Sequence, residues 1–254
     1  MEKYTVETSI ASYQTDQFGK VSLCSLLQLM LESAWFDSQR NNIGFKQLKS
    51  KNLLWVLSRL YVEIDNYPSW LDKITIKTWY SGTDGIYAFR EYLITDENGK
   101  TLLKANSLWL ILDNDTRKVI LLKNFNDFPA PNGGYVCRLP KKIRLKRKTE
   151  ISNYSPVLFS DLDVNKHLNS VKSLERIIDN FGIDFLNKNE IETLEINYLK
   201  EGHGGDLLSV SVNKKDENTY ECSLLRQSDS ADLISVIMKW REKKSYTAKN
   251  KIYK

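Results

Sequence analysis

Histidine is scarce in this 254-residue chain, which has only His167 and His203, so any imidazole chemistry must use one of these two. Cysteine is almost as rare. Cys24, Cys137 and Cys222 are odd in number, far apart and in no metal-ligand spacing. They read as reduced thiols, which argues against a disulfide framework and against a zinc knuckle. No apolar run approaches the ~20 residues that a membrane helix needs. The first residues, Met1 to Val6, enter an alternating pattern with no secretory or transit-like stretch, so the expectation is a cytoplasmic protein without a membrane span.

What the chain does have is core material and a repeat. Hydrophobic residues make up 41% and charged residues 27%, with 13 Tyr, 9 Phe and 6 Trp, the composition of a soluble globular protein. Tyr4–Ala11 alternates as a strand and is followed by a turn at Asp16-Gln17-Phe18-Gly19. Leu23, Leu26, Leu27, Met30, Leu31, Ala34 and Trp35 then recur at helical spacing to about Arg40, with Ser22 as a plausible cap. A short piece at Phe45–Ser50 leads into strands at Leu53–Ile64, Lys73–Ser81, Ile86–Thr95 and Thr101–Leu112. The pattern breaks at Pro129–Gly134. It then starts again: a strand at Tyr154–Phe159, a polar turn, a helix carrying Leu168, Val171, Leu174, Ile177, Ile178 and Phe181, and strands at Ile191–Leu199, Leu207–Asn213, Thr219–Arg226 and Leu233–Trp240.

The halves overlay without a gap from turn through helix, with Asp16 on Asp163, Val21 on Leu168, Leu27 on Leu174 and Met30-Leu31 on Ile177-Ile178. Later, Asp72 falls on Asp206. One strand, one helix and four strands, twice, predicts an α+β tandem double hotdog, each half a long helix wrapped by a curved antiparallel sheet. The expected divisions are 1–128 for the first hotdog, 129–150 for a linker with a basic run, and 151–254 for the second.

The overlay is most informative where it fails. Asn165 and His167 face Phe18 and Lys20, and Glu201 faces Tyr67. The stretch Asp161-Leu162-Asp163-Val164-Asn165-Lys166-His167-Leu168-Asn169 puts two carboxylates, two carboxamides and a histidine at the mouth of a helix. A capped helix start needs one such residue. Asp163, Asn165 and His167 at i, i+2 and i+4 would point to one side if the turn is extended. Glu201 precedes Gly202-His203-Gly204-Gly205, where glycines let a substrate approach closely; His203, among them, reads as exposed. The second copy is expected to be the chemically active one, and the first to shape or bind.

These residues carry a resemblance. The stretch 161–172 looks like the signature of the acyl-acyl-carrier-protein thioesterases of plants and bacteria, and Asn197-Tyr198-Leu199-Lys200-Glu201 resembles that family's second motif. Leu54–Arg59, Ile76–Trp79, Asn106–Trp109 and Asp115-Thr116-Arg117 are similar to further landmarks, so the likeness runs from about residue 4 to 240. It implies double hotdogs that hydrolyse the thioester between a fatty acyl chain and the carrier's phosphopantetheine arm. The family's catalytic residues would fall on Asp163, Asn165, His167 and Glu201, with no metal and no cofactor. Plant members have a cysteine after the glutamate where this chain has Gly202, so a thiolate nucleophile is not expected. They also carry a targeting segment, and its lack here suggests a bacterial-type enzyme.

On this basis Glu201 is expected to be the general base, with Asp163 as the alternative base. Asn165 and His167 would position water and thioester, Asp163 would orient that pair and hold His167 in one tautomer, and backbone N–H groups at the start of the second helix, near Leu168, would receive the oxyanion. Leu26, Met30, Trp35 and Trp55 are candidates for the acyl tunnel or simply for the core. The run Lys141–Lys148, with six cations in eight positions, is a candidate docking patch for an acidic carrier protein or a solvated linker. It lacks the interleaved aromatics that nucleic-acid binding would want. The rival readings are a hotdog acting on acyl-coenzyme A, a hotdog dehydratase, and a non-catalytic acyl-binding protein. Either a monomer or a homodimer would serve.

Overall fold

The structure, a computed structural model, describes residues 2–125, 128–145 and 150–243. Strand β1 (Tyr4–Ser9) is followed by α1 (Leu23–Arg40), α2 (Phe45–Ser50), β2 (Leu53–Ile64), β3 (Lys73–Thr83), β4 (Ala88–Asp96), β5 (Thr101–Asp113) and the short β6 (Val119–Ile120). After the connection come β7 (Glu150–Ile151), β8 (Ser155–Pro156), α3 (Ser170–Asp179), α4 (Ile183–Lys188), β9 (Asn189–Tyr198), β10 (Leu207–Lys214), β11 (Thr219–Arg226) and β12 (Ala231–Glu242). All strands belong to one antiparallel sheet with the path β1-β3-β4-β5-β2-β9-β12-β11-β10-β7, and β6 and β8 lie off it on β5 and β10. This is the expected double hotdog, a sheet from each half closing over its own helix.

The local reasons are legible. Ser22 caps α1 by accepting the Ser25 N–H at 3.0 Å, and Leu23, Leu26, Leu27, Met30 and Ala34 form its buried stripe. The buried Asp37 at its far end accepts from Arg90 of β4 at 2.7 Å, tying helix to sheet. In the second half the helix is shorter than expected. Asn169 caps it through Val171 and Lys172 N–H, so Leu168 lies before the helix rather than in it. Gly182, at φ +75°, breaks the chain before α4 begins. The strand expected at Tyr154–Phe159 is only Ser155–Pro156, because Pro156 offers no N–H and Phe159–Asp161 coils into a 3₁₀ turn.

The overlay recurs hydrogen bond by hydrogen bond. Asp16 N–H donates to Lys20 O at 2.7 Å and Asp163 N–H to His167 O at 2.8 Å. Val21 N–H reaches Pro68 O at 2.9 Å as Leu168 N–H reaches Gly202 O at 2.8 Å. Isolated bridges pair Lys20 with Ser69 and His167 with His203. β2 and β9 meet at the centre, Tyr61 opposite Glu195, which are equivalent residues of the two copies.

The connection is pinned to this seam. Arg138 forks onto both oxygens of Glu195 at 2.8 and 2.7 Å and lies 3.6 Å from the centre of the Tyr61 ring. Lys141 N–H also donates to Glu195, and Asn197 exchanges bonds with Ile143 N–H (2.8 Å) and Lys141 O (2.9 Å). The start of the basic run is therefore a strapped segment, with Lys141, Lys142 and Arg144 exposed around a buried Ile143. Lys146, Arg147 and Lys148 lie outside the described residues.

Burial works against the charge on Glu195, but the Arg138 fork and the Lys141 amide outweigh it and hold the carboxyl below its usual range. Stability from this group is present above the ordinary carboxylate pKa and is lost as pH falls through the lower folded-state value. Glu195→Gln should therefore cost about 1–2 kcal/mol at neutral pH, with the gap to wild type closing in acid. Thermal unfolding from about pH 7 to about pH 2 checks both sign and window.

Candidate active site

The polar stretch 161–169 is a closed turn rather than an extended one. Asp163 Oδ1 accepts from Asn165 N–H at 2.8 Å and His167 N–H at 3.2 Å, and Lys166 adopts φ +64°. The carboxylate thus folds back on the backbone. It orients Asn165 and His167 through their peptides, and the carboxylate beside the His167 ring is that of Glu201. In the first half Asp16 Oδ1 does the same work for Phe18 and Lys20 N–H, at 2.9 and 3.0 Å. Because Asp163 turns inward, the i, i+2, i+4 alternation does not aim three side chains one way. Asn165 is exposed and His167 is partly buried.

The ring of His167 meets two groups. Its Nδ1 is 3.5 Å from Glu201 Oε1. His203 lies opposite across the bridge, with ring centroids 5.3 Å apart and nearly perpendicular. Glu201 leaves the end of β9 and is held from two sides. Arg226 donates to its carbonyl at 3.1 Å, and Arg117, from the β5–β6 turn of the first half, pairs with its Oε1. That turn is built by Asp113, whose Oδ1 accepts Thr116 N–H at 2.8 Å, and Arg117 itself sits at φ +57°. The sequence marked Arg117 only as a landmark. Its contact with Glu201 depends on how the halves pair, which no local pattern encodes.

The backbone donors expected at the start of the second helix narrow to one. Leu168 N–H is spent on Gly202 O, and Asn169 N–H on Asp161 O, both at 2.8 Å. Asn169 Oδ1 takes Val171 and Lys172 N–H. Ser170, first in α3, lines the cavity, and its N–H has no partner within the helix.

This cavity, of about 830 Å³, runs between the halves. Asp163, Asn165, His167, Ser170 and Glu201 line it from the second half, and Leu31, Trp35, Leu54, Trp55, Trp109 and Phe128 from the first. Of the four tunnel candidates, Trp35 and Trp55 do line it. Leu26 and Met30, both 0% exposed, are core. Gly202 packs tightly, since a Cβ there would stand 3.1 Å from Leu168 and Leu233 side-chain carbons. Burial pushes the thiols of Cys24, Cys137 and Cys222 up to about 12, which leaves no thiolate near neutrality.

A second cavity of about 500 Å³ occupies the pseudo-equivalent place. It is lined by Asp16, Phe18, Lys20 and Tyr67, with Glu175, Ile178 and Asp179 where the first has Gln28, Leu31 and Glu32. Here Lys20 Nζ donates to Tyr67 O at 3.0 Å and Tyr67 Oη to Ile191 O at 2.9 Å, so its polar groups serve packing. Among the described residues, His167, Glu201 and His203 each bring a potential ligand atom within 4.8 Å of the others. Two imidazoles and a carboxylate could hold a metal ion.

Comparison with known proteins gives consistent matches. The family models for the acyl-ACP thioesterase N-terminal and C-terminal domains match residues 1–125 and 143–242. A chloroplastic palmitoyl-acyl carrier protein thioesterase of Gossypium hirsutum is 25% identical over 225 residues, covering 76% of this chain and 50% of that protein. One from Cuphea hookeriana is 28% identical over 211 residues with the same coverage, 76% and 50%. The chain thus spans about half the length of these curated relatives. In fold, it resembles an acyl-ACP thioesterase from Bacteroides thetaiotaomicron, with TM-score 0.83, 24% identity, and 93% and 97% of the two chains covered. A 12:0-ACP thioesterase from Umbellularia californica gives TM-score 0.83 at 17% identity, covering 95% and 98%.

If Asp163 builds the turn, its loss must show in stability as well as activity. Asp163→Ala and Asp16→Ala should each lower unfolding stability by about 1–2 kcal/mol, because each strips an acceptor from two backbone amides. Denaturant titration of the pair checks this. A side chain with a purely chemical role would leave the midpoint unchanged in the first variant.

Proposed function

Because the chain belongs to the acyl-ACP thioesterase family, we propose that it hydrolyses fatty acyl thioesters of acyl carrier protein to free fatty acid and carrier. The observation that carries this reading is the His167–Glu201 pair on the wall of a cavity whose other wall is aromatic and aliphatic. A flexible acyl chain suits the apolar wall, and a thioester at the polar end comes within reach of base and donors.

In this mechanism Glu201 takes a proton from water as it attacks the thioester carbonyl. Arg117 and the Arg226 bond to the backbone hold Glu201 in place. His167 orients the water and, with Asn165, the thioester. Ser170 N–H and the Asn165 carboxamide supply donors for the oxyanion, which collapses with cleavage of the C–S bond. The departing thiolate takes up the proton carried by Glu201, so the enzyme returns to its starting state. Asp163 contributes by building the turn. The first half supplies the acyl pocket and Arg117, and the second half the reacting groups.

The carrier protein would dock where its acidic surface finds exposed cations. Lys141, Lys142 and Arg144 project from the strapped segment and suit that role. A tandem chain already contains two hotdogs, so one chain suffices for one such site. Among the described residues no helix is long and apolar enough to cross a membrane.

Purified protein given acyl-carrier-protein and acyl-coenzyme A thioesters of several chain lengths tests the proposal. The carrier substrates should turn over faster. Glu201→Gln should lose about 10²–10⁴-fold in kcat and Asn165→Ala about 10²-fold. A combined Lys141→Glu, Lys142→Glu change should raise KM for the carrier substrate alone, most at low salt. Equal turnover of both thioester classes would discard the carrier as the partner. Folded protein inert towards all of them would discard the enzyme reading in favour of acyl binding.

A further inference from the structure

The chain's two histidines stand side by side on one wall of the cavity. His167 and His203 are antiparallel bridge partners, and the Leu168 N–H to Gly202 O bond flanks the pair. That places them in a non-hydrogen-bonded position, where opposite Cα atoms approach to about 4.5 Å and side chains rise together. Glu201 adds a carboxylate 3.5 Å from His167 Nδ1. Ligand atoms around a tetrahedral zinc, with bonds of about 2.0–2.1 Å, stand about 3.4 Å apart. One of the three separations is thus already met, and all three atoms lie within 4.8 Å. The His203 side chain is 56% exposed and has room to close the rest.

We propose that His167, Glu201 and His203 form a binding site for a divalent transition-metal ion, zinc foremost, whose occupation switches hydrolysis off. Two imidazole nitrogens and one carboxylate oxygen favour zinc and the later first-row metals over magnesium or calcium. Three protein ligands leave a coordination position open towards the cavity. Arg117 opposes the ion by charge and pairs with the same Oε1 that lies nearest His167, so metal binding requires its side chain, 38% exposed, to leave that oxygen for water. Asp206 stands 4.0 Å from His203 Nδ1 and is itself paired with Arg226 at 3.3 Å. The pseudo-equivalent cluster in the first half is Lys20, Ser69 and Tyr67, which offers no comparable ligand set. Inhibition follows because metal coordination occupies Glu201 and His167, and this part rests on Glu201 being the base, as proposed above.

The test uses the chelator-stripped 254-residue protein and zinc chloride. Calorimetry reports binding without any substrate, and fatty acid release reports hydrolysis, since zinc would sequester a thiol product. Expected is one zinc per chain at micromolar affinity, with hydrolysis falling along the same curve and returning on addition of EDTA. His203→Gln should hydrolyse like wild type in the absence of metal. It should also need at least about tenfold more zinc for both binding and inhibition. At the same concentration zinc should raise the unfolding temperature of wild type more than that of His203→Gln. No saturable binding below about 100 μM would overturn the site. So would equal binding by His203→Gln, which would point to the cysteines. Stimulation by zinc would overturn the inhibitory role. Should the protein hydrolyse nothing, calorimetry and unfolding still decide the metal site by themselves.

Discussion

Strands β2 and β9 pair antiparallel from Arg59 opposite Asn197 to Glu63 opposite Thr193, and this seam turns two curved sheets into one. Unpaired, each strand would be an open edge displaying a row of hydrogen-bonding groups. Tyr61 and Glu195 face each other at the centre, and Arg138 of the connection lies on both, stacked on the ring and forked onto the carboxylate. The connection, the seam and the mutual position of the halves are therefore one coupled unit. Its register brings the β5–β6 turn of the first half against the end of β9, and so Arg117 against Glu201.

An approximate two-fold through the seam makes two clefts, each between the turn of one half and the helix of the other. Both turns are held by the same aspartate bonds, Asp16 in one and Asp163 in the other. What separates them is what those bonds present. One cleft displays Asn165, His167 and Glu201, and the other Phe18, Lys20 and Tyr67. Tyr67 has turned its hydroxyl to Ile191 of the opposite half, so the unarmed cleft contributes to the adhesion of the halves. The two copies thus share a scaffold and differ in the groups it presents.

Much of this was legible in the sequence, for physical reasons. Hydrophobic periodicity located α1 and the long strands, because burial on one face is written into neighbouring residues. The repeat was readable because both turns need an aspartate at the same place. What could not be read depends on distant pairing. Arg117 and Glu201 are remote in sequence, and the strap on Glu195 and Asn197 looked like a solvated basic run. That Asp163 orients Asn165 and His167 is legible, but that it does so through the backbone amides two and four residues on is not, because an acidic residue beside a histidine invites a side-chain reading. Which of the amides near Leu168 is free for an oxyanion is not legible, because the carbonyl that takes Leu168 N–H, Gly202 O, comes from another strand end.

The central claim is that one active site is assembled across the seam, with Arg117 acting only through Glu201. A double-mutant cycle on kcat/KM for the acyl-carrier-protein thioester, using Arg117→Gln, Glu201→Gln and the combination, addresses it most directly. The account predicts that Arg117→Gln lowers kcat/KM by about 10–100-fold in the presence of Glu201 and by little in its absence, so the double variant matches Glu201→Gln. Losses that simply add would contradict it, because Arg117 would then act on the substrate by itself and the contact across the seam would be incidental.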